Sequence, residues 1–144
     1  MRRWLGLSLV FLCGCGTTGP ESQARELQLQ RERWSARGVH SYTFEFTQFG
    51  AWFPPNPVRI EVRDDAVASV TRISTGEVLD AAAAARLPTV DSLFNFAQRY
   101  LQDGQWVVQL EFDPLLAYPT KISGDIPNAA DAAFEYVSRN LRQP

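Results

Sequence analysis

From Ser41 to Phe49 the chain alternates without a break, with Tyr42, Phe44 and Phe46 on one side and Thr43, Glu45 and Thr47 on the other. Successive strand residues point to opposite faces, so this pattern fits a sheet with one face buried and the other in water. A helix would scatter the same rings around its circumference. Val58 to Arg63 repeats the device, with Val58, Ile60 and Val62 inward and Arg59, Glu61 and Arg63 outward. Asp64 and Asp65 supply turn chemistry into a third strand, Val67 to Ile73, closed by Ser74, Thr75 and Gly76. Three strands with short links imply an antiparallel meander.

The flanking segments read as helices and further strands. Glu21 to Ala36 is a helix candidate with Ala24, Leu27, Arg31 and Trp34 on one stripe and Gly38 beyond its end. Only Trp34 is a strong anchor, so the front of this helix is expected to pack loosely. Ala81 to Ala85 fits either one helical turn or a soft linker. Thr89 can cap the best helix of the chain, in which Val90, Leu93, Phe94, Ala97 and Leu101 follow one apolar face and Gly104 ends it. Trp106 to Phe112, Tyr118 to Ser123 and Phe134 to Leu141 are the remaining strands, and Asp131 lies in a polar turn before the last. The order helix, three strands, helix, three strands predicts an α+β fold: an antiparallel sheet of about six strands with one or two helices on one face.

The amino terminus reads differently. Arg2 and Arg3 precede an apolar stretch, Trp4 to Leu12, which is too short for the ~20 residues of a spanning helix. Leu12-Cys13-Gly14-Cys15 then resembles the bacterial lipoprotein cleavage box. That resemblance implies a signal peptide at residues 1–14, acyl chains on Cys15, a tether over residues 15–20 and a single domain over residues 21–144. A residue other than aspartate after the cysteine, here Gly16, implies passage to the outer membrane on its periplasmic face. The alternative is an ordinary cleaved leader that happens to contain cysteines. Each buried methylene contributes ~0.8 kcal/mol, so two or three chains hold firmly where one does not.

Cleavage before Cys15 leaves 130 residues with 12 basic and 16 acidic side chains. A net negative domain lacks the concentrated basic face that nucleic acid demands. With both cysteines at the leader boundary, the domain has no thiol for disulfides, catalysis or metal. His40 is the only histidine, so a Ser/His/Asp triad would have to use it; a strand-end position is its ordinary explanation. No cofactor or metal is expected. The turn acids Asp64, Asp65, Asp113, Asp125 and Asp131 lack the dense spacing of a calcium loop. Of these, Asp113 and Asp125 are the candidate polar site.

The least ordinary stretch runs from Phe49 to Pro57, where Phe49, Trp52 and Phe53 stand on a proline-stiffened link between two strands. Two readings stand open. The rings form an exposed contact for a partner or membrane surface, or they fold back over an open end of the sheet. Tyr118 joins Phe49, Trp52 and Phe53 as a candidate binding residue, since a helix–sheet cleft lined by Phe94, Trp106 and Tyr118 would favour binding.

Several segments in order are similar to an uncharacterised bacterial family, domain of unknown function 6174. They are Pro57 to Asp64, Ser69-Val70, Thr75-Gly76-Glu77, Pro88 to Phe94, and Phe112 to Thr120, within a span from Ser41 to Leu141. The family pattern often carries tyrosine where Phe112 stands and glycine where Ala117 stands. Many members carry a cysteine pair around Ala51 and Phe53, which this chain lacks. The resemblance implies a small secreted protein or lipoprotein and brings no chemistry with it.

The function expected from the sequence is that of a membrane-anchored envelope module binding a protein, peptide or apolar ligand, held through lipid on Cys15. The alternatives are a hydrolase using turn carboxylates, with or without calcium, and a purely structural accessory subunit. The anchor is directly testable. Cys15→Ser should abolish palmitate labelling and leave unprocessed precursor; labelling that survives the change would overturn the lipoprotein expectation.

Overall fold

In the computed structural model the described residues are 19–50, 55–129 and 131–144. The chain runs through α1 (Pro20–Ser35), β1 (Tyr42–Gly50), β2 (Val58–Arg63), β3 (Ala66–Arg72), α2 (Ala81–Ala84), α3 (Val90–Asp103), β4 (Val107–Phe112), β5 (Pro119–Asp125) and β6 (Phe134–Arg142). The six strands form one antiparallel sheet in the order β3-β2-β1-β6-β5-β4. The fold is α+β, as the alternation predicts. None of the described helices is long and apolar enough to cross a membrane.

Each element starts and stops for a local reason. Pro20 opens α1, where its missing N–H costs nothing. In α3 the Thr89 side chain accepts from Ser92 N, and Gly104 ends the helix at φ 70. The alanine run is one helical turn, capped by Asp80, whose side chain accepts from Ala83 N. Between β2 and β3, Asp64 and Asp65 both adopt positive φ, 49° and 66°, as a two-residue hairpin turn of the primed type requires. Ala117 sits at φ 67 in the turn before β5. Glycine, which the resembling pattern often carries there, takes that conformation without Cβ strain.

The core lies between one sheet face and the helices. Tyr42, Phe44 and Phe46 meet Val58, Ile60 and Val62 across the β1–β2 register, and all six are buried. Val90, Leu93, Phe94 and Ala97 of α3 cover them. A fully buried side chain of this kind contributes roughly 1.5–3 kcal/mol. In α1 the buried residues are Leu27, Gln30 and Trp34, while Ala24 is exposed, so the stripe is narrower than its sequence suggests. Arg31 lies over the Phe94 ring at 5.6 Å, adding a cation–π contact between the two helices.

A second aromatic group covers the far half of the sheet. Tyr100 stacks on Phe134 at 4.2 Å, and Trp106 meets Phe134 edge-on at 5.1 Å. The Phe134 ring lies across Gly124 on the neighbouring strand, where a Cβ would come within 2.7 Å of it. That close approach requires glycine.

Tyr42 joins three elements. Its ring meets Trp34 of α1 edge-on at 5.5 Å, and its hydroxyl accepts from Val90 N, an unpaired donor of the first turn of α3, at 2.9 Å. Burial pushes the Tyr42 phenol well above its ordinary range, so it stays neutral. Tyr42→Phe keeps the ring and strands the buried Val90 N–H. Such a group costs ~1–3 kcal/mol, and the change should lower the denaturant midpoint accordingly without altering the slope. A loss below ~0.5 kcal/mol would mean that water replaces the hydroxyl.

Candidate functional site

With α1 and α3 on one face, no described helix covers the other face of the sheet. The period of two sends Thr43, Glu45, Thr47 and Phe49 of β1 to it, together with Arg59 and Glu61 of β2. The β1–β6 and β5–β6 registers add Glu135, Val137 and Arg139, then Lys121 and Ser123. The β4–β5 register adds Gln109 and Glu111.

Charge is segregated across this face. Around the β1–β6 seam stand Arg59, Arg139 and Arg142 with Glu45 among them. Glu45 accepts from Arg59 Nη2 at 3.2 Å and from Asn140 Nδ2 at 2.8 Å. Asn140 belongs to an irregularity of the β1–β6 pairing, where β6 carries an extra residue, and adopts φ 54. A bulge re-aims a side chain, here the amide of Asn140 toward Glu45, where regular continuation of the Glu45–Arg139 register would set it opposite Phe44. The Asn140 hydrogen bond, with help from Arg59 and Arg142, holds the Glu45 carboxyl below the usual carboxylate range. Together Thr43, Glu45, Arg59, Asn140 and Arg142 line a depression of about 240 Å³.

The opposite end is acidic. A groove of about 550 Å³ runs over the ends of β1, β6, β5 and β4. Phe49, Val107 and Ala133 supply its apolar part, Gln109 and Ser123 its neutral polar part. Asp125, Asp131 and Glu135 are its charged residues, with no basic side chain among its lining. Lys121 lies beyond it, bridging Glu135 at 3.4 Å and Glu111 at 3.8 Å. Phe134 lies at the groove as backbone, its ring on the helix side over Gly124 with Tyr100 and Trp106.

The residues singled out by sequence fall in four different settings. Phe49 lines the groove and is 37% exposed. Trp52 and Phe53, like Cys15, lie outside the described residues. Tyr118 is a core residue, 4% exposed, and burial raises its phenol above the ordinary range. It borders a depression with Glu111, Lys121 and Arg139 and does not line the groove that holds Phe49. The expected cleft of Phe94, Trp106 and Tyr118 is likewise absent: Phe94 stacks on Phe112 inside the core, while Trp106 belongs to the Tyr100–Phe134 group. Sequence spacing identifies inward residues but not which of them share a neighbourhood.

Asp113 and Asp125 do not meet. Phe112 pairs with Pro119 at one end of the β4–β5 hairpin, and Val107 pairs with Asp125 at the other. Six residues of strand put the two carboxylates ~20 Å apart. Asp113 is bound into its own turn, accepting from Leu115 N at 2.9 Å and Leu116 N at 2.6 Å. Asp125 is exposed at the groove.

His40 pairs with Asp65 at 2.9 Å, both well exposed, which contributes little. Among the described residues no serine hydroxyl hydrogen-bonds to His40. No group of three or more His, Cys, Asp and Glu side chains there is placed to hold a metal ion.

The Glu45–Arg59–Asn140 cluster was not visible in the sequence, because its partners lie 14 and 95 positions apart. Its electrostatics can be measured. The Glu45 carboxyl should titrate below the ordinary ~4.3, so its favourable contribution holds above that value and is lost as pH falls through the folded one. Asn140→Gly keeps the left-handed backbone and removes the amide. The NMR titration midpoint of Glu45 should then move up; an unchanged midpoint would show that the amide bond is not what lowers it.

No curated protein and no solved structure matches this chain. A family model, described as a family of unknown function, matches residues 26–143. The matched span takes in all six strands, both sheet faces and most of α1. The chain therefore belongs to the family of unknown function DUF6174.

Proposed function

We propose that this protein is an envelope lipoprotein, anchored through Cys15, whose domain is a binding or accessory module for a protein or peptide segment. The observation that carries the binding half is the groove: about 550 Å³, on an uncovered sheet face, with apolar and polar groups side by side. Concave sites of this size that mix apolar surface with a few placed polar groups are the usual places where proteins hold ligands. The leader supports the anchor. Gly16 supports an outer-membrane address facing the periplasm, and the short polar stretch between Cys15 and α1 supports a tether to the anchor. In sequence, Phe49 leads directly into the segment bearing Trp52 and Phe53.

Neither half needs catalysis. Of the acids nominated for hydrolysis, Asp113 and Asp125 are separated by the length of a hairpin, while Asp125 and Asp131 line the same groove.

The test places a photo-crosslinking amino acid at Ser123 in the groove, and separately at Asn95, exposed on α3, in living cells. A discrete protein adduct from position 123 and none from 95 is the expected result. Combining the groove probe with Phe49→Ser should reduce that adduct severalfold with the melting temperature nearly unchanged, because Phe49 is part-exposed. Equal adducts from both positions, or none from either, would remove the basis for a binding module.

A further inference from the structure

The two edges of the sheet are not alike. The β3 edge is covered by its own chain: Val78 bridges Thr71, Arg72 N donates to Glu77 O at 2.8 Å, and Leu79 N donates to Val70 O at 2.9 Å. Residues 77–79 thus act as a short extra strand, with α2 following directly. The β4 edge has no such cover. Among the described residues no backbone group outside β5 hydrogen-bonds to Val107–Phe112.

Nor does β4 carry the usual protections. Its sequence, Val107-Val108-Gln109-Leu110-Glu111-Phe112, has high strand propensity, one charge, no proline and no lysine. Its only irregularity comes at the last step, between Glu111 and Phe112. Val107 is 53% exposed. An edge of this kind is a template for another strand. The groove opens beside it, since Val107 and Gln109 line both.

We propose that β4 is a strand-addition site, at which a basic, extended segment of an envelope partner pairs as a seventh strand and lays alternate side chains into the groove. This rests on the binding-module reading and names the chemistry of its ligand. Main-chain hydrogen bonds supply the attachment in this mode, and pockets for alternate side chains supply the choice of sequence. Charge selects the occupant. The groove has no cation in its lining and three carboxylates, of which Glu135 is bridged from outside by Lys121 while Asp125 and Asp131 have no ion pair among the described residues. A lysine or arginine at every second position of the added strand answers them, with an apolar residue reaching Phe49 or Val107. A second copy fits badly. Antiparallel pairing of β4 with itself brings in Glu111 and no basic side chain from the added strand, so it adds negative charge beside an acidic groove.

The experiment uses the purified full chain in nonionic detergent and a labelled hexapeptide of alternating valine and lysine. Fluorescence anisotropy should show salt-sensitive binding. A valine–glutamate peptide should bind at least about tenfold more weakly. Two further probes carry N-methyl groups on one or the other set of alternate amides. A strand pairs through one edge only, so one methylated probe should lose about tenfold or more and the other should bind like the parent. Val107→Lys, at an exposed position, should also weaken the lysine probe, and the methylation pair needs no variant at all.

Equal binding by both methylated probes overturns strand addition, as does equal binding by the glutamate peptide. A dimer in sedimentation equilibrium that Val107→Lys dissociates overturns it in favour of a second copy. Where the probes fail but the crosslink at position 123 forms, strand addition alone falls and the binding-module reading stands. Where both fail, both fall.

Discussion

Everything on the uncovered face depends on the pairing of β1 with β6. The chain makes two three-stranded meanders, β1-β2-β3 and β4-β5-β6, and each is held by short local turns. What makes them one sheet is the seam from Thr43–Arg142 to Gly50–Phe134. Its partners are about a whole domain apart in sequence, so ordering that much chain precedes any reward from the seam. The seam then places Asn140 against Glu45, and Phe49 beside Glu135. Neither the arginine-flanked depression nor the acidic groove belongs to one meander; both are assembled across it or next to it.

The helices lock that seam from the buried side. Tyr42 starts β1, meets Trp34 of α1 and satisfies the first turn of α3, so the two helices are referenced to the same strand. At the other end of the seam Tyr136 of β6 touches Phe46 of β1, Phe96 of α3 and Phe134. Burial raises the Tyr136 phenol as it does Tyr42. Aromatic rings bury large areas and tolerate tilted contacts, which suits a junction where strands twist past helices at varying angles. With the core side closed in this way, the opposite face is left to carry the segregated charge.

Local elements were legible because they follow from nearest-neighbour chemistry. Tyr42, Phe44 and Phe46 reveal their strand by period, Thr89 and Gly104 mark the limits of α3, and Asp64–Asp65 marks a tight turn. The family resemblance was legible too, and the matched span bears it out. Sheet order was not. The repeated order of one helix and three strands is equally compatible with β1 lying beside β4, and only the fold puts it beside β6. Without that register Glu45 is one more solvent-facing acid and Asn140 one more polar residue near the end of the chain. The same gap misplaced Tyr118. Its place in the order of strands is evident, but whether its ring is open or buried depends on what packs around it, and in the fold it joins the core cluster.

Turn acids show how the fold sorts residues that look equivalent in sequence. Asp80 caps α2, Asp113 accepts two backbone donors in its own turn, and Asp65 holds His40. Asp103 accepts from the indole of Trp106 and so helps to hold the Tyr100–Trp106–Phe134 group. These carboxylates satisfy local donors, the ordinary work of aspartate in turns. Among the described residues, Asp125 and Asp131 have no side-chain hydrogen bond or ion pair, and both line the groove. Folding needs neither charge, and both raise the local negative potential beside an unpaired strand edge. An acidic side chain with no structural partner is unremarkable when it stands alone in water. Two of them at the mouth of one concave, partly apolar surface make that surface selective, because a ligand must bring positive charge to leave water there without loss.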